Sequence, residues 1–269
     1  MRDKMFHHSW PSVGCVLLLG ALLTARTDCL AQGQGVFYGT TVVAFRTPEN
    51  IHIAADSRVT STINPKDYRP YCKIRKVGST FFAFAGIAEF YPTGFNLADL
   101  TAAACRKRGT VFEKTRQLEV LVKDPLANII RFLSQGNRQK VRIPSSYDIG
   151  VIICAVEKGV PVMAVRKFTP IFTRSGFDSI SVERLDCPSP SVPTSGTFLA
   201  VIGHREIVTR HLRDRRLFAD GIASGLRRLV QLEIDANPQA VGPPIDILEL
   251  SKTSYRWIGR KPQCFKDDE

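Results

Sequence analysis

The 269 residues, 44% of them hydrophobic and 23% charged, fit one globular domain with a sizeable core and exclude a largely disordered protein. The formal net charge is +12, but aromatic residues are not interleaved with the basic clusters at 106–108, 210–216 and 227–228. Solvated helix faces therefore explain the charge better than a nucleic-acid surface, and no nucleic-acid partner is expected, with a basic surface-binding protein as the alternative.

The N-terminal stretch resembles a secretory signal peptide. A positive start at Arg2 and Lys4 precedes an apolar run over 13–25 that is too short and too glycine-rich for a comfortable membrane span. Small residues at Cys29 and Ala31 suit a cleavage site, and a membrane anchor is the alternative. We expect an exported protein, periplasmic or secreted, without stable membrane insertion. The predicted division is signal peptide 1–31, short pro-segment 32–39 and single domain 40–269.

The cysteine content predicts thiols and one disulfide. Two of the seven cysteines fall in the predicted signal peptide, and the remaining odd number cannot all pair within one chain. Cys154 lies in an apolar run and is expected to be a buried thiol. Cys187 and Cys264 lie in polar stretches and could pair in an oxidising compartment. No zinc-binding spacing or cofactor motif is visible, so neither metal nor cofactor is expected.

Two β-hairpins open the predicted domain. β-branched and apolar runs alternate with turn residues, and no helical pattern separates the two hairpins. The pro-segment shows no core pattern of its own. The hairpins pair strand 40–45 with 51–55 and strand 73–77 with 80–85, and a polar loop over 61–71 joins them.

Helical and strand patterns alternate after the hairpins. A helix over 96–107 is followed by a second over 125–135, where Asp124 suits a cap and Pro125 the first turn. This order argues against a doubly wound parallel sheet and favours layered sheets with helices outside. The remaining predicted elements are strands 149–156 and 160–165, an irregular excursion 173–197, strand 198–202, a helical stretch 207–235 broken near 220–221, and a final strand 245–250.

Four short segments resemble the opening of a proteasome β-type subunit. The resemblance is strong over 39–86, weak as far as 165, and faint after Pro170. It implies an α+β fold of the N-terminal-nucleophile type, a four-layer αββα sandwich with two stacked antiparallel sheets between helix layers. The segments are Gly-Thr-Thr-Val-Val-Ala-Phe at 39–45, Ile-Ala-Ala-Asp-Ser-Arg at 53–58, Lys-Ile at 73–74 and Phe-Ala-Gly at 84–86.

The resemblance implies hydrolysis of amide bonds by Thr40, exposed as the first residue by autocatalytic cleavage after Gly39. A threonine hydroxyl is a weak nucleophile unless a base takes its proton. A free α-amine, with an unperturbed pKa of about 8, can be that base. Gly39 suits the cleavage because it allows an unusual backbone path.

The resemblance also assigns supporting roles. Lys73 would lie beside Thr40 and lower the pKa of its amine, and Asp56 would pair with Lys73 because an unpaired buried lysine is costly. Arg58 would support this loop. Gly86 would offer its N–H to the developing oxyanion, a contribution of roughly 3–4 kcal/mol in other hydrolases.

Three later positions bear on activity. The pair Gly203-His204 stands where the family has glycine and serine, and Val241 stands where it has another serine. His204 could replace the missing hydroxyl as a hydrogen-bond partner or could cap a helix. By the same resemblance, Asp235 would match the family's later aspartate.

Two functions therefore follow from the resemblance. The first is a threonine-type hydrolase of peptides or small amides, which would act alone or in a homo-oligomer or ring. The second is a catalytically inactive, proteasome-like structural or assembly subunit.

Overall fold

The computed structural model describes residues 36–61, 66, 68–135, 148–189, 192–212 and 214–267. The predicted signal peptide and the first part of the predicted pro-segment lie outside these ranges. The described chain combines helices with antiparallel sheets, which confirms the coarse prediction of fold class. None of its helices is long and apolar enough to cross a membrane. The helices are α1 (Leu97–Arg106), α2 (Val111–Gln135), α3 (Glu206–His211) and α4 (Ile222–Ala236).

The strands form three five-stranded sheets, and neighbouring strands are antiparallel throughout. The first sheet contains, in spatial order, β13 (Phe198–Gly203), β2 (Thr41–Arg46), β3 (Asn50–Ala55), β14 (Asp246–Ser251) and β15 (Tyr255–Gly259). The second contains β12 (Gly176–Cys187), β11 (Val160–Thr173), β10 (Ile149–Glu157), β7 (Thr80–Ala85) and β6 (Ile74–Val77). The third contains β5 (Tyr68–Pro70), β4 (Arg58–Ser61), β1 (Val36–Tyr38), β8 (Glu89–Phe90) and β9 (Phe95–Asn96).

The first and second sheets share a buried core. Along β7, Phe81 belongs to this shared core and Phe82 to the core on the opposite face, because successive strand side chains point to opposite faces. Helices α1 and α2 contribute to the core on that opposite face of the second sheet. Helix α4 packs on the outer face of the first sheet, where Leu226 and Val230 meet Val43.

The third sheet includes the described end of the predicted pro-segment. Strand β1 lies between β4 and β8, with Phe37 paired to Ser61 on one side and to Glu89 on the other. The sequence predicted no structure here because a three-residue strand has no periodic signature. Its conformation is instead set by two neighbouring strands distant in sequence.

Both predicted hairpins, the strand ending at Gly203 and the break before α4 are confirmed. The predicted helix start at Pro125 is wrong, because α2 runs from Val111 through this proline. Leu118, Val122 and Leu126 continue one buried face across it. Packing of that face against the second sheet outweighs the cost of a proline inside a helix.

The predicted irregular excursion over 173–197 is wrong over its first half, whereas the described residues between β12 and β13 are irregular as predicted. Strand β12 pairs with β11 along its length at the edge of the second sheet. Most of its side chains are not buried, so the strand carries polar residues and lacks an apolar alternation. The predicted final strand, observed as β14, is followed by a further edge strand, β15. Strand β5 likewise lies within the segment predicted as a loop.

The predicted pairing of Cys187 with Cys264 is also wrong. Cys264 forms a disulfide with Cys72, 192 residues away in the sequence, and Cys187 is a buried free thiol. Polar neighbours in the sequence indicate that a cysteine is exposed, but they do not indicate which cysteine lies near it in space. Here that proximity depends on the folding of the C-terminal segment against β6. Cys154 is a buried thiol, as predicted.

Candidate active site

Thr40 lies at the junction between β1 and β2 in an unusual backbone conformation. Its φ is +149° and that of Gly39 is +112°, and both residues are buried. A β-branched residue rarely adopts a positive φ, because its Cβ then crowds the backbone. A Cβ added to Gly39 would lie 2.4 Å from the main-chain oxygen of Ala240. The Gly39–Thr40 peptide bond is therefore held in a strained path that requires glycine at its first position.

The end of β13 holds this junction from one side. The N–H of His204 donates to the main-chain oxygen of Thr40 at 2.7 Å, and the Thr41 hydroxyl donates to the main-chain oxygen of His204 at 2.8 Å. A Cβ added to Gly203, whose φ is +82°, would lie 2.1 Å from the Thr40 oxygen. Glycine at 203 thus permits the close approach of the two chain segments.

Asp56 follows β3 and is fully buried. Its Oδ1 accepts from the N–H of Thr41 at 2.8 Å and from Nζ of Lys73 at 2.9 Å. Its Oδ2 accepts from the N–H groups of Arg58 and Gly242 at 2.9 and 3.0 Å. These donors satisfy a carboxylate that would otherwise be costly to bury. One oxygen therefore joins the Lys73 side chain to the peptide unit that links Thr40 and Thr41.

Lys73 precedes β6 and is completely buried. Its main-chain oxygen accepts from the N–H of Phe84 on β7, and its Nζ donates to Asp56 and to the main-chain oxygen of Arg58. Burial lowers the pKa of Lys73 to about 8, although Asp56 opposes the shift. An amine with this pKa can gain and release a proton near neutral pH, as a general base requires.

Gly86 follows β7 with a φ of +97°. A Cβ there would lie 2.1 Å from the main-chain oxygen of Asp148, so the position requires glycine. The preceding residue, Ala85, approaches Gly203 on the same side as Thr40, since a Cβ on Gly203 would lie 2.9 Å from the Ala85 Cβ. Gly86 is therefore one residue away from the point where β7 approaches Gly203.

Arg58 contacts both members of the buried ion pair through its main chain. Its guanidinium lies 4.2 Å from the centre of the Tyr68 ring and donates to the main-chain oxygen of Pro238. A Cβ added to Gly242 would lie 2.5 Å from Nε of Arg58. Arg58 therefore packs against the segment that follows α4, and that segment in turn binds Asp56.

The structure does not bring Asp235 to this cluster. Asp235 is exposed on α4 and accepts a hydrogen bond from Gln231 at 2.7 Å. The buried acid of this helix is Glu233, which accepts from the N–H groups of Ile207 and Val208 at 3.2 Å each. A helix places residues two apart on different faces, which explains why one acid is buried and the other exposed.

The remaining two positions, Val241 and His204, bring no hydroxyl to the site. Val241 is buried in the core beneath α4, so no hydroxyl from this position reaches the site. His204 is not the cap of α3, because Arg205 holds the N-cap position and Glu233 accepts from the first turn. Burial lowers the pKa of the His204 imidazole, and the nearby carboxylates of Glu233 and Asp56 oppose this effect.

A second buried ion pair was missed by the sequence analysis. Nζ of Lys261 donates to the Asp246 carboxylate and to the Ser57 hydroxyl, the latter at 2.5 Å. Ser57 lay inside the segment that resembled the family, but neither Lys261 nor Asp246 stood in a recognisable motif. Their proximity to Asp56 depends on the C-terminal strands, and a single sequence carries no signal for it.

No protein-family model and no curated protein matches the chain. Function is therefore inferred from the geometry of the site. That geometry combines a strained peptide bond before a threonine, a buried lysine with a lowered pKa, and a carboxylate that links the two. A buried amine with a lowered pKa beside a carboxylate can exchange a proton near neutral pH.

Proposed function

We propose that the protein is a threonine-type hydrolase of amide or peptide bonds that frees Thr40 by cleaving its own chain after Gly39. The observation that carries the proposal is the Asp56 carboxylate, one oxygen of which accepts both from Nζ of Lys73 and from the N–H of Thr41. This arrangement links Lys73, the proposed base, to the peptide group that follows Thr40. An N-terminal nucleophile requires such a base in its own cluster.

The packing of the sheets supports the finer assignment of fold. Two antiparallel sheets share a core, and helices cover their outer faces. We assign this arrangement to the four-layer αββα sandwich of the N-terminal-nucleophile type. The small third sheet extends it at the end where Thr40 lies.

Self-cleavage begins when Lys73, in its neutral form, takes the proton of the Thr40 hydroxyl. Oγ1 of Thr40 adds to the carbonyl carbon of Gly39, and the N–H of Gly86 stabilises the oxyanion. The C–N bond then breaks and the nitrogen takes the proton held by Lys73, which leaves a free amine on Thr40 and an ester between Gly39 and Oγ1. Water hydrolyses this ester and gives a carboxylate on Gly39 and the restored hydroxyl of Thr40. In the mature protein that amine is the base for attack on substrate.

The third sheet indicates how a peptide substrate binds. Strand β1 ends at the cleavage point and pairs with β4 and β8 on its two sides. When the freed segment leaves, the backbone groups of these two strands become available to an extended peptide, which can add as a strand between them. A small amide would use only the part of this cleft next to Thr40. The enzyme would act alone or in a homo-oligomer or ring.

The disulfide supports the proposed export. Cys72 and Cys264 are bonded, and structural disulfides persist in oxidising compartments such as the periplasm and the extracellular space. We therefore assign the mature protein to one of these compartments.

The N-terminal residue of the exported protein tests the proposal. Intact mass and N-terminal sequencing of the wild type are expected to give a chain that begins at Thr40. Thr40→Ala is expected to retain the pro-segment, and Thr40→Ser, which keeps a hydroxyl, to be cleaved. A wild-type protein that keeps residues 32–39 after native export would contradict self-cleavage.

One observation favours the inactive structural subunit as the second candidate. At the two positions where the family has serines, this chain has His204 and a Val241 buried in the core, so both hydroxyls are missing. Hydrolysis of peptide or acyl-amide substrates by the wild type, lost in Lys73→Ala, would eliminate this candidate.

A further inference from the structure

The C-terminal segment 260–264, which we call the C-terminal clamp, holds Lys73 through both of its sequence neighbours. Cys264 is disulfide-bonded to Cys72, the residue before Lys73. The guanidinium of Arg260 donates to the main-chain oxygen of Ile74, the residue after it, at 2.6 Å, and to that of Cys264 at 2.5 Å. The start of β6 is therefore fixed from the C-terminal end of the chain.

The clamp also places a second lysine near the proposed site. Lys261 and Asp246 are both buried, and Asp246 accepts from Nζ and, at 3.0 Å, from the main-chain N–H of Lys261. Nζ also donates to the hydroxyl of Ser57, which in turn donates to the main-chain oxygen of Pro244. Because Ser57 directly follows Asp56, the second ion pair is connected to the first through one residue of chain.

We propose that Lys261, presented by the C-terminal clamp, is a positioning residue of the proposed hydrolase: it fixes Ser57 next to Asp56, and its ammonium acts on the buried pair of Asp56 and Lys73. Only the expected effect of Lys261 on self-cleavage depends on the proposed function. The coupling between two buried lysines holds whether or not Thr40 is freed.

The charges around Lys73 determine the sign of the coupling. After burial itself, the groups that act on the pKa of Lys73 are Asp56, Lys261 and Asp246. The ammonium of Lys261 lowers this pKa, and the carboxylate of Asp246 raises it. Removal of either charge alone therefore leaves the other uncompensated in a buried site. Lys261→Met is expected to raise the pKa of Lys73, and Asp246→Asn to lower it.

The first experiment follows the Lys73 side chain by lysine NMR as a function of pH. It uses the full chain with Thr40→Ala, which stays uncleaved, and assigns the signal by its loss in Lys73→Met. The titration midpoint of Lys73 is expected to move up in Lys261→Met and down in Asp246→Asn. The double variant Lys261→Met/Asp246→Asn is expected to shift it less than either, and Lys261→Arg to keep it close to the parent.

Opposite shifts of the Lys73 midpoint in the two single variants would show electrostatic coupling. A general loosening of the structure around Lys73 would instead move both midpoints in the same direction. If only Asp246→Asn folds, a downward shift still tests the coupling, because loosening would relieve burial and raise the midpoint. If only Lys261→Met folds, Lys261→Arg, which keeps the charge, supplies the comparison. An unchanged midpoint in a folded Lys261→Met, or the same direction of shift in both variants, would overturn the proposal.

The second experiment measures self-cleavage of the full chain with Thr40 present, by intact mass after a pH jump. Below the midpoint the rate follows the neutral fraction of Lys73, so Lys261→Met is expected to be slower at pH 7, by about tenfold for each pH unit that its midpoint rises. A rate in Lys261→Met equal to that of the wild type would overturn the proposed positioning role. Absence of cleavage in the wild type would instead refute the proposed function and leave the NMR result to decide the coupling.

Discussion

The two buried lysine–aspartate pairs differ in what their carboxylates hold together. Asp56 accepts from Lys73 and from three main-chain N–H groups, one of them on Gly242, 186 residues away. Asp246 accepts from the side chain and main chain of Lys261, 15 residues away. The first pair therefore joins segments that are distant in sequence around Thr40. The second is a local pair that acts on the site through the Ser57 hydroxyl and through its charges.

The largest expected effect comes from breaking the first pair. Asp56→Ala would leave the Lys73 charge buried without its partner and three N–H groups without an acceptor. We expect a loss of about 3–5 kcal/mol in the free energy of unfolding. We also expect self-cleavage to stop. Urea denaturation and intact mass measure the two effects.

Two further variants serve as controls for Asp56→Ala. Asp246→Ala is expected to reduce stability without stopping self-cleavage, because Asp56 and Lys73 keep their mutual contact. Asp235→Ala, at an exposed carboxylate, is expected to change the unfolding free energy by no more than about 0.5 kcal/mol. If Asp56→Ala were as mild as Asp235→Ala, Asp56 would not organise the site.

A smaller loss is expected when the C-terminal clamp is opened. Replacement of Cys72 and Cys264 by serine removes a cross-link between residues 192 positions apart. It is expected to cost about 2–5 kcal/mol, chiefly because the unfolded chain gains freedom. Thermal and urea denaturation measure the change. A reducing agent should destabilise the wild type and leave the double variant unaffected, and equal sensitivity in both would contradict a stabilising role for this disulfide.

The two ion pairs also differ in whether the sequence could predict them. Thr40, Asp56, Lys73 and Gly86 lie within one short stretch, on hairpins whose strands are evident from local patterns, so their order and spacing could be recognised. Lys261 meets Ser57 across 204 residues. That contact depends on β14 and β15 bringing the chain back, and no local pattern encodes it.

The errors in the fold have a similar origin. Pro125 fits the start of a helix by local rules, but tertiary packing of a longer apolar face extends α2 through it. The sequence of strand β12 shows no strand pattern, because an edge strand with exposed side chains needs no alternation of apolar and polar residues. Cys264 lies in a polar stretch, yet it is buried once the clamp packs against β6. In each case a contact distant in sequence overrides the local signal.

The most direct test of the central claim is the pH dependence of self-cleavage in the full chain. If Lys73 is the base that activates Thr40, the rate should rise with pH through a midpoint near the Lys73 pKa of about 8. Below that midpoint Lys73 is protonated and cannot accept the hydroxyl proton. Lys73→Met should slow cleavage by roughly 10²–10⁴-fold and remove the pH dependence. A Lys73→Met chain that cleaves at the wild-type rate, with the same pH profile, would contradict the account.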